Sequence, residues 1–167
     1  ESFGLAFAKS QLAAGQNLPL SGTVFISVRD KDKMAVVPIA QKLANIGFKT
    51  LATRGTAAFL ASNGIACETV HKVSEGRPHV VDHIKNGAIQ LVINTSLGAS
   101  TTRDSYKIRR ATLDYRISYT TTIAGAKAIA AAIEAMLQKK LQVRPIQEYH
   151  GLQSDAGLKT GTGINPG

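Results

Sequence analysis

From position 23 onward the chain alternates short apolar runs with longer amphipathic stretches. β-rich runs at 23–28, 48–52, 67–70 and 90–93 are each followed by a segment with helical spacing. A period that switches between two and 3.6 marks strand followed by helix. Strands separated by helical crossovers pair in parallel, so the pattern predicts an α/β fold with a parallel β-sheet covered by helices. In open sheets of this kind ligands sit outside the carboxyl ends of the strands.

The first helix after position 23 is expected to start near Asp32 as N-cap and to bury Val36, Val37, Ala40, Leu43 and Ala44. Gly47 should end it. Pro38 lies too deep to be an N1 proline, so the helix either starts later or kinks in its first turns. The last helix is predicted from Ala126, Ile129, Ala130, Ile133, Met136 and Leu137, with Thr122 as its cap and Lys139 and Lys140 at its C-terminal dipole. Residues 1–22 hold one amphipathic stretch (Phe3, Leu5, Ala6, Phe7, Leu12) and then a Pro/Gly break, which reads as an incoming connector. Residues 23–150 form the domain, and the glycine-rich run 151–167 reads as a flexible tail.

Composition narrows the classes. A chain of 167 residues with 44% hydrophobic and 19% charged residues can bury one real core. No apolar run approaches the roughly 18 residues that span a bilayer, and no signal-peptide order opens the chain. A cytoplasmic location without membrane contact is expected. Cys67 has no disulfide partner, and its setting suggests strand packing and not a reactive thiol. Residues 23–150 hold 18 Lys and Arg against 9 Asp and Glu, which accounts for the whole net charge of +9. Such a domain suits phosphate-bearing ligands or acidic neighbours. Arg103, Lys107 and Arg110 share a helix face, but aromatic residues are only 5% and no nucleic-acid module is present, so no nucleic-acid partner is expected.

The expected strand ends gather the candidate chemistry. Thr53-Arg54-Gly55-Thr56 closes an apolar run and opens a helix, where glycine admits an anion, hydroxyls donate to it and helix amides point at it. The same residues also make an ordinary tight turn and N-cap, so neighbouring groups must decide between the two. Lys33 and Lys72 offset phosphate charge, and Asn94, Thr95 and Ser96 supply base or sugar contacts. His79, Asp82 and His83 imitate a metal pair without a third convincing ligand, and no metal site is expected.

Four motifs in order carry a family resemblance: Ser27-Val28-Arg29-Asp30-Lys31-Asp32-Lys33, Ala52-Thr53-Arg54-Gly55-Thr56, Lys72-Val73-Ser74-Glu75-Gly76-Arg77-Pro78-His79 and Ile93-Asn94-Thr95. Over about residues 1–150 the chain resembles the methylglyoxal-synthase-like C-terminal regulatory domain of bacterial carbamoyl-phosphate synthase large subunits. The resemblance implies a Rossmann-like three-layer α/β domain with a central parallel β-sheet, without catalytic residues of its own, that binds UMP as inhibitor, or IMP at an overlapping site. Lys33, Thr53, Gly55, Thr56 and Lys72 would hold the phosphate, and Ser27, Asn94, Thr95 and Ser96 would line the base and ribose pocket. Thr121 and Thr122 match the stretch that senses ornithine at the border with the catalytic part. The implied partners are the other domains of the large subunit and a small glutaminase subunit, in an enzyme that uses ATP and a divalent metal for arginine and pyrimidine synthesis.

This sequence departs from the pattern in two places. Thr95-Ser96-Leu97-Gly98-Ala99-Ser100 replaces a stretch that usually carries two cations, and Thr120 and Ala124 stand where an Asp and an Asn are common. The same scaffold also serves methylglyoxal synthase, a phosphate-eliminating lyase, and a purine-pathway cyclohydrolase. Elimination needs a carboxylate base, which in the synthases sits in a Gly-Gly-Asp turn. Here that loop reads Glu75-Gly76-Arg77-Pro78-His79, which leaves only Glu75 or Asp82 as substitutes.

Overall fold

The computed structural model describes residues 2–96 and 102–151. It divides into two compact units, Glu1–Met136 and Leu137–Gly167. In the second, the described residues 137–151 are helical throughout.

The first unit opens with α1 (Phe3–Ala13) and continues as β1 (Thr23–Ser27), α2 (Lys33–Asn45), β2 (Lys49–Thr53), α3 (Arg54–Ser62), β3 (Glu68–Val70), α4 (Val80–Lys85), β4 (Leu91–Asn94), α5 (Thr102–Asp114) and β5 (Ser118–Thr120), ending in the first part of α6 (Ile123–Gly151). The five strands are all parallel, in the order β3-β2-β1-β4-β5. The expected parallel α/β sheet is therefore present, and each expected strand overlaps an observed one with its ends shifted by one residue at most.

The pleat sorts the core into two layers. Phe25 pairs with Leu51 on one side and Val92 on the other, and these three pack with Val80, Val81 and Ile84 of α4 and Ile108 and Ala111 of α5. Val24 and Ile26, one residue out of phase and fully buried, face the opposite side. Buried Ile39 and Leu43 of α2, Leu60 of α3 and Ile129 and Ile133 of α6 supply the apolar surface of the other helices. Lys42 of α2 pairs with Glu134 of α6. Each such aliphatic side chain removed from water contributes about 1.5–3 kcal/mol.

The helix ends follow local chemistry. Gly47 takes φ +97° just past α2, a left-handed position that glycine fills without strain. The buried face of α2 is Val36, Ile39, Ala40 and Leu43, while Val37 and Ala44 lie half-buried. Pro38 sits in the second turn, exposed. Asp32 occupies the N-cap position of α2 but makes no cap hydrogen bond, because its carboxylate is committed elsewhere, as described below.

Two expectations need correction. The short edge strand β5 was not anticipated as a strand, and α6 runs beyond Lys139 and Lys140 to Gly151, so those lysines do not lie in its last turn. The expected connector holds α1, whose buried Gly4 faces α6; a Cβ there would lie 2.6 Å from the Ala131 carbonyl oxygen. The proposed tail beyond Gly151 lies outside the described residues.

Thr122 caps α6 as expected: the Gly125 amide donates to its Oγ1 at 3.0 Å. A Cβ at Gly125 would come within 2.3 Å of Thr120 Oγ1, so a larger residue there would force the Thr120 side chain to move. Thr122→Ala should lower stability by about 1 kcal/mol through loss of the cap. Thermal melting should show a reduced Tm, while phosphate affinity should stay unchanged.

Candidate anion site at the strand ends

The chain moves outward from β1 to β2 and β3 on one side, then returns to place β4 and β5 on the other. This reversal opens a crevice between the carboxyl ends of β1 and β4, where doubly wound sheets hold their ligands. Ser27 ends β1, Thr53 ends β2 and Asn94 ends β4. All three are more than nine-tenths buried.

Hydroxyl contacts knit these ends together. Ser27 Oγ lies 3.0 Å from Ser96 Oγ and 3.5 Å from Thr53 Oγ1. Thr53 Oγ1 in turn reaches Thr56 Oγ1 at 3.5 Å, and the Val28 amide donates to Thr56 Oγ1 at 3.4 Å. Asn94 accepts the Ser96 amide at Oδ1 (3.2 Å). Burial pushes the Tyr119 phenol up, against the opposing pull of Arg109 and Asn94. Lys72 joins Ser27, Thr53, Asn94 and Ser96 around one pocket, and Asp104 and Ser105 of α5 close its rim.

A second cation approaches from α2. Thr53 is the N-cap residue of α3, yet no side chain caps that helix. Its first-turn amides therefore face the crevice mouth without a side-chain acceptor, the condition in which a helix N-terminus takes an anion. Lys33 Nζ stands over this turn, 3.8 Å from the point a Cβ on Gly55 would occupy and 5.9 Å from the Phe59 ring centroid. Lys33 also pairs with Asp30 at 2.8 Å, and that contact holds the exposed Asp30 carboxyl below its ordinary range. Glycine at 55 leaves room between the ammonium group and the helix backbone.

Of the groups expected to bind, Ser27, Thr53, Asn94, Ser96 and Lys72 share the pocket, and Lys33 and Gly55 meet at the first turn of α3. Thr56 and Thr95 are placed differently. Thr56 is 2% exposed and its oxygen receives the Val28 amide. Thr95 is fully buried; its Oγ1 donates to Asp32 Oδ2 at 2.7 Å and accepts the Arg29 amide at 3.3 Å. Thr121 and Thr122 are exposed beyond the end of β5. Leu97 to Ser100, where the cation-poor departure falls, lie outside the described residues.

The structure adds groups that sequence reasoning missed. Asp104 Oδ2 accepts both the amide (3.3 Å) and the hydroxyl (2.8 Å) of Ser74, and so fastens the Lys72 loop to α5. Tyr119 was visible in the sequence only as part of the threonine stretch beside it. The carboxylates considered as bases are occupied with backbone work: Glu75 accepts the Lys72 amide at 2.9 Å and Asp82 accepts the His79 amide at 2.9 Å. That amide, with His79, Arg77 and Lys85 charges adding to it, holds Asp82 below the usual carboxylate range against the effect of burial. Burial pushes the half-buried Cys67 thiol up to about 11, so it stays protonated and unreactive near neutral pH. Among the described residues no group of three His, Cys, Asp or Glu side chains is placed to hold a metal ion, and no helix is long and apolar enough to cross a membrane.

These features define a doubly wound α/β domain with a polar, cation-flanked crevice at its switch point. The chain belongs to the MGS-like domain family, whose model matches residues 35–121. Over 147 residues it is 54% identical to the carbamoyl phosphate synthase large chain of Mesorhizobium japonicum, a match covering 88% of this chain and 13% of that one. The large chain of Rhizobium meliloti matches to the same extent. The C-terminal section of the large chain from Methanopyrus kandleri is 52% identical over 150 residues, covering 89% of this chain and 28% of that protein. The matches thus span only a small part of the length of these relatives.

Proposed function

We propose that this chain is the regulatory domain of a cytoplasmic carbamoyl phosphate synthase large chain, binding UMP or IMP by the phosphate and passing the signal to domains that make carbamoyl phosphate. The observation that carries this reading is the gathering of Lys72, Ser27, Thr53, Asn94 and Ser96 around one switch-point pocket, beside an uncapped helix end overlooked by Lys33. Phosphate would sit between the two lysines and the first turn of α3, leaving Ser27, Asn94 and Ser96 for ribose and base. The domain itself breaks no bond; a ligand preference of about 1–3 kcal/mol for one arrangement of the larger enzyme suffices to change its output severalfold. The remaining large-chain domains and a glutaminase subunit are the partners this role requires, and ATP with its divalent metal would bind in the catalytic part.

Calorimetric titration with UMP, with IMP and with inorganic phosphate tests this proposal. Saturable nucleotide binding well above the phosphate response is the expected result. Binding of phosphate alone, or of nothing, would refute nucleotide sensing. The rival elimination reading finds one carboxylate at the rim, Asp104, but its Oδ2 is already taken by two donors from Ser74. No methylglyoxal is expected when the protein is incubated with dihydroxyacetone phosphate.

A further inference from the structure

Away from the strand ends, a groove of about 340 Å³ runs between α4 and α5. Arg77 and Lys85 stand on the α4 side, and Lys107 and Arg110 on α5. Its floor includes Val73, Val81 and Ala111. Tyr106 is 67% exposed and Tyr115 49% exposed, both lining the groove. Leu113, also 67% exposed, lies seven residues from Tyr106 and so continues the same helical stripe. Tyr106 and Tyr115 thus place aromatic surface beside the cations of α5, although aromatic residues are only 5% of the chain.

This composition differs from that of a solvated basic face. Exposed Tyr and Arg around an apolar floor are the side chains that anchor protein interfaces. The carboxylates present are already paired: Asp114 with Arg110 at 3.2 Å and Asp82 with Arg77 at 3.5 Å. Among the described residues Lys107 has no ion-pair partner, and the two walls together present a cationic slot. We propose that this groove docks an acidic, amphipathic protein segment, its carboxylates meeting Lys85 and Lys107 and its apolar side chains resting on Val81 and Ala111. A nucleic-acid strand fits less well, because Asp82 and Asp114 interrupt the positive track that a continuous phosphate backbone follows, and the apolar floor has no counterpart on such a backbone. The groove's cations are not among the groups assigned to the nucleotide pocket, so docking and nucleotide binding can fail independently.

Fluorescence anisotropy with a labelled helical peptide of glutamate and leucine tests this assignment, with labelled oligo-dT as the competing probe. The peptide should bind saturably, more weakly as salt rises. Lys107→Glu and Arg77→Glu should each weaken it about tenfold or more through like-charge repulsion, whereas Lys49→Glu, on an exposed residue at the start of β2, should not. Tyr106→Ala should weaken binding with the salt dependence retained. Absence of saturable binding, equal loss in Lys49→Glu, or tighter binding of oligo-dT that displaces the peptide would each overturn the proposal. Circular dichroism on each variant separates loss of docking from loss of fold.

Discussion

Replacing Lys72 or Lys33 with alanine should lower phosphate and UMP affinity about ten- to hundredfold each, because a hydrogen bond between ammonium and phosphate is worth about 1.5–3 kcal/mol. The two side chains reach the crevice from different elements. Lys72 borders the pocket shared by Ser27, Thr53, Asn94 and Ser96, and Lys33 stands over the first turn of α3. The double variant should therefore leave little binding at millimolar ligand. Lys31→Ala is the control: it removes one exposed cation two residues from Lys33 and tests whether general charge, not position, attracts the ligand. Calorimetry on the four variants decides. Equal, small losses for all three single changes would point to diffuse electrostatics and sink the assigned phosphate grip.

The same comparison bears on what Asp30 does. Its contact with Lys33 joins two neighbouring residues of one turn, with the Asp30 side chain 95% exposed. Exposed pairs of this kind contribute little to stability. On the proposed function, an arriving phosphate would displace the carboxylate with small loss. The ion pair and the approach to Gly55 are made by the same ammonium group, so both belong to one exposed turn.

How far this arrangement was legible in the sequence depends on how many residues carry each signal. The runs giving β1, β2 and β4 are apolar on both faces and flanked by periodic helices, so sequence alone located them. β5 is three residues long, at the sheet edge, with Ser118 buried and Tyr119 and Thr120 half-buried; such a segment carries no apolar run to detect. Its consequences were missed with it, including the pairing of Tyr119 with Val92 at the sheet edge. The strand-to-helix turn at 53–56 was readable because Gly and Thr at such a junction have a chemical reason to be there. The inward commitment of Thr95 was not, since nothing local to Ile93-Asn94-Thr95 reveals a partner 63 residues earlier. Asp32 illustrates the same limit: an Asp before a helix reads as a cap, but the tertiary fold gives it Thr95 and Arg29 instead.

That tertiary use of Asp32 sets the stability of the crevice walls. Asp32 Oδ2 receives the Thr95 hydroxyl at 2.7 Å and Arg29 Nε at 3.0 Å, while the Arg29 amide bonds to Thr95 Oγ1. The loop after β1 is thereby tied to the end of β4, next to the amide that Thr95 donates to the Ser27 carbonyl at 2.9 Å. Asp32→Ala would leave the fully buried Thr95 hydroxyl without its acceptor, at a cost of about 1–3 kcal/mol. The effect should depend on pH. The Thr95 hydrogen bond, aided by Arg29 and Lys31, holds the Asp32 carboxyl below its ordinary value although burial pushes the other way. A depressed carboxylate stabilises the fold fully above its unfolded pKa, about 3.9, and loses that contribution as pH falls through the lower folded value. Urea denaturation of the original protein and of Asp32→Ala should thus show a gap that is constant from neutral pH down to about 5 and shrinks in stronger acid. Asp30 and Asp82 are also depressed, but both proteins carry them, so the difference isolates Asp32. A gap that persists undiminished in strong acid would mean that packing, not the ionised carboxylate, holds the two loops together; no gap at neutral pH would mean that the Thr95 bond contributes nothing to the fold.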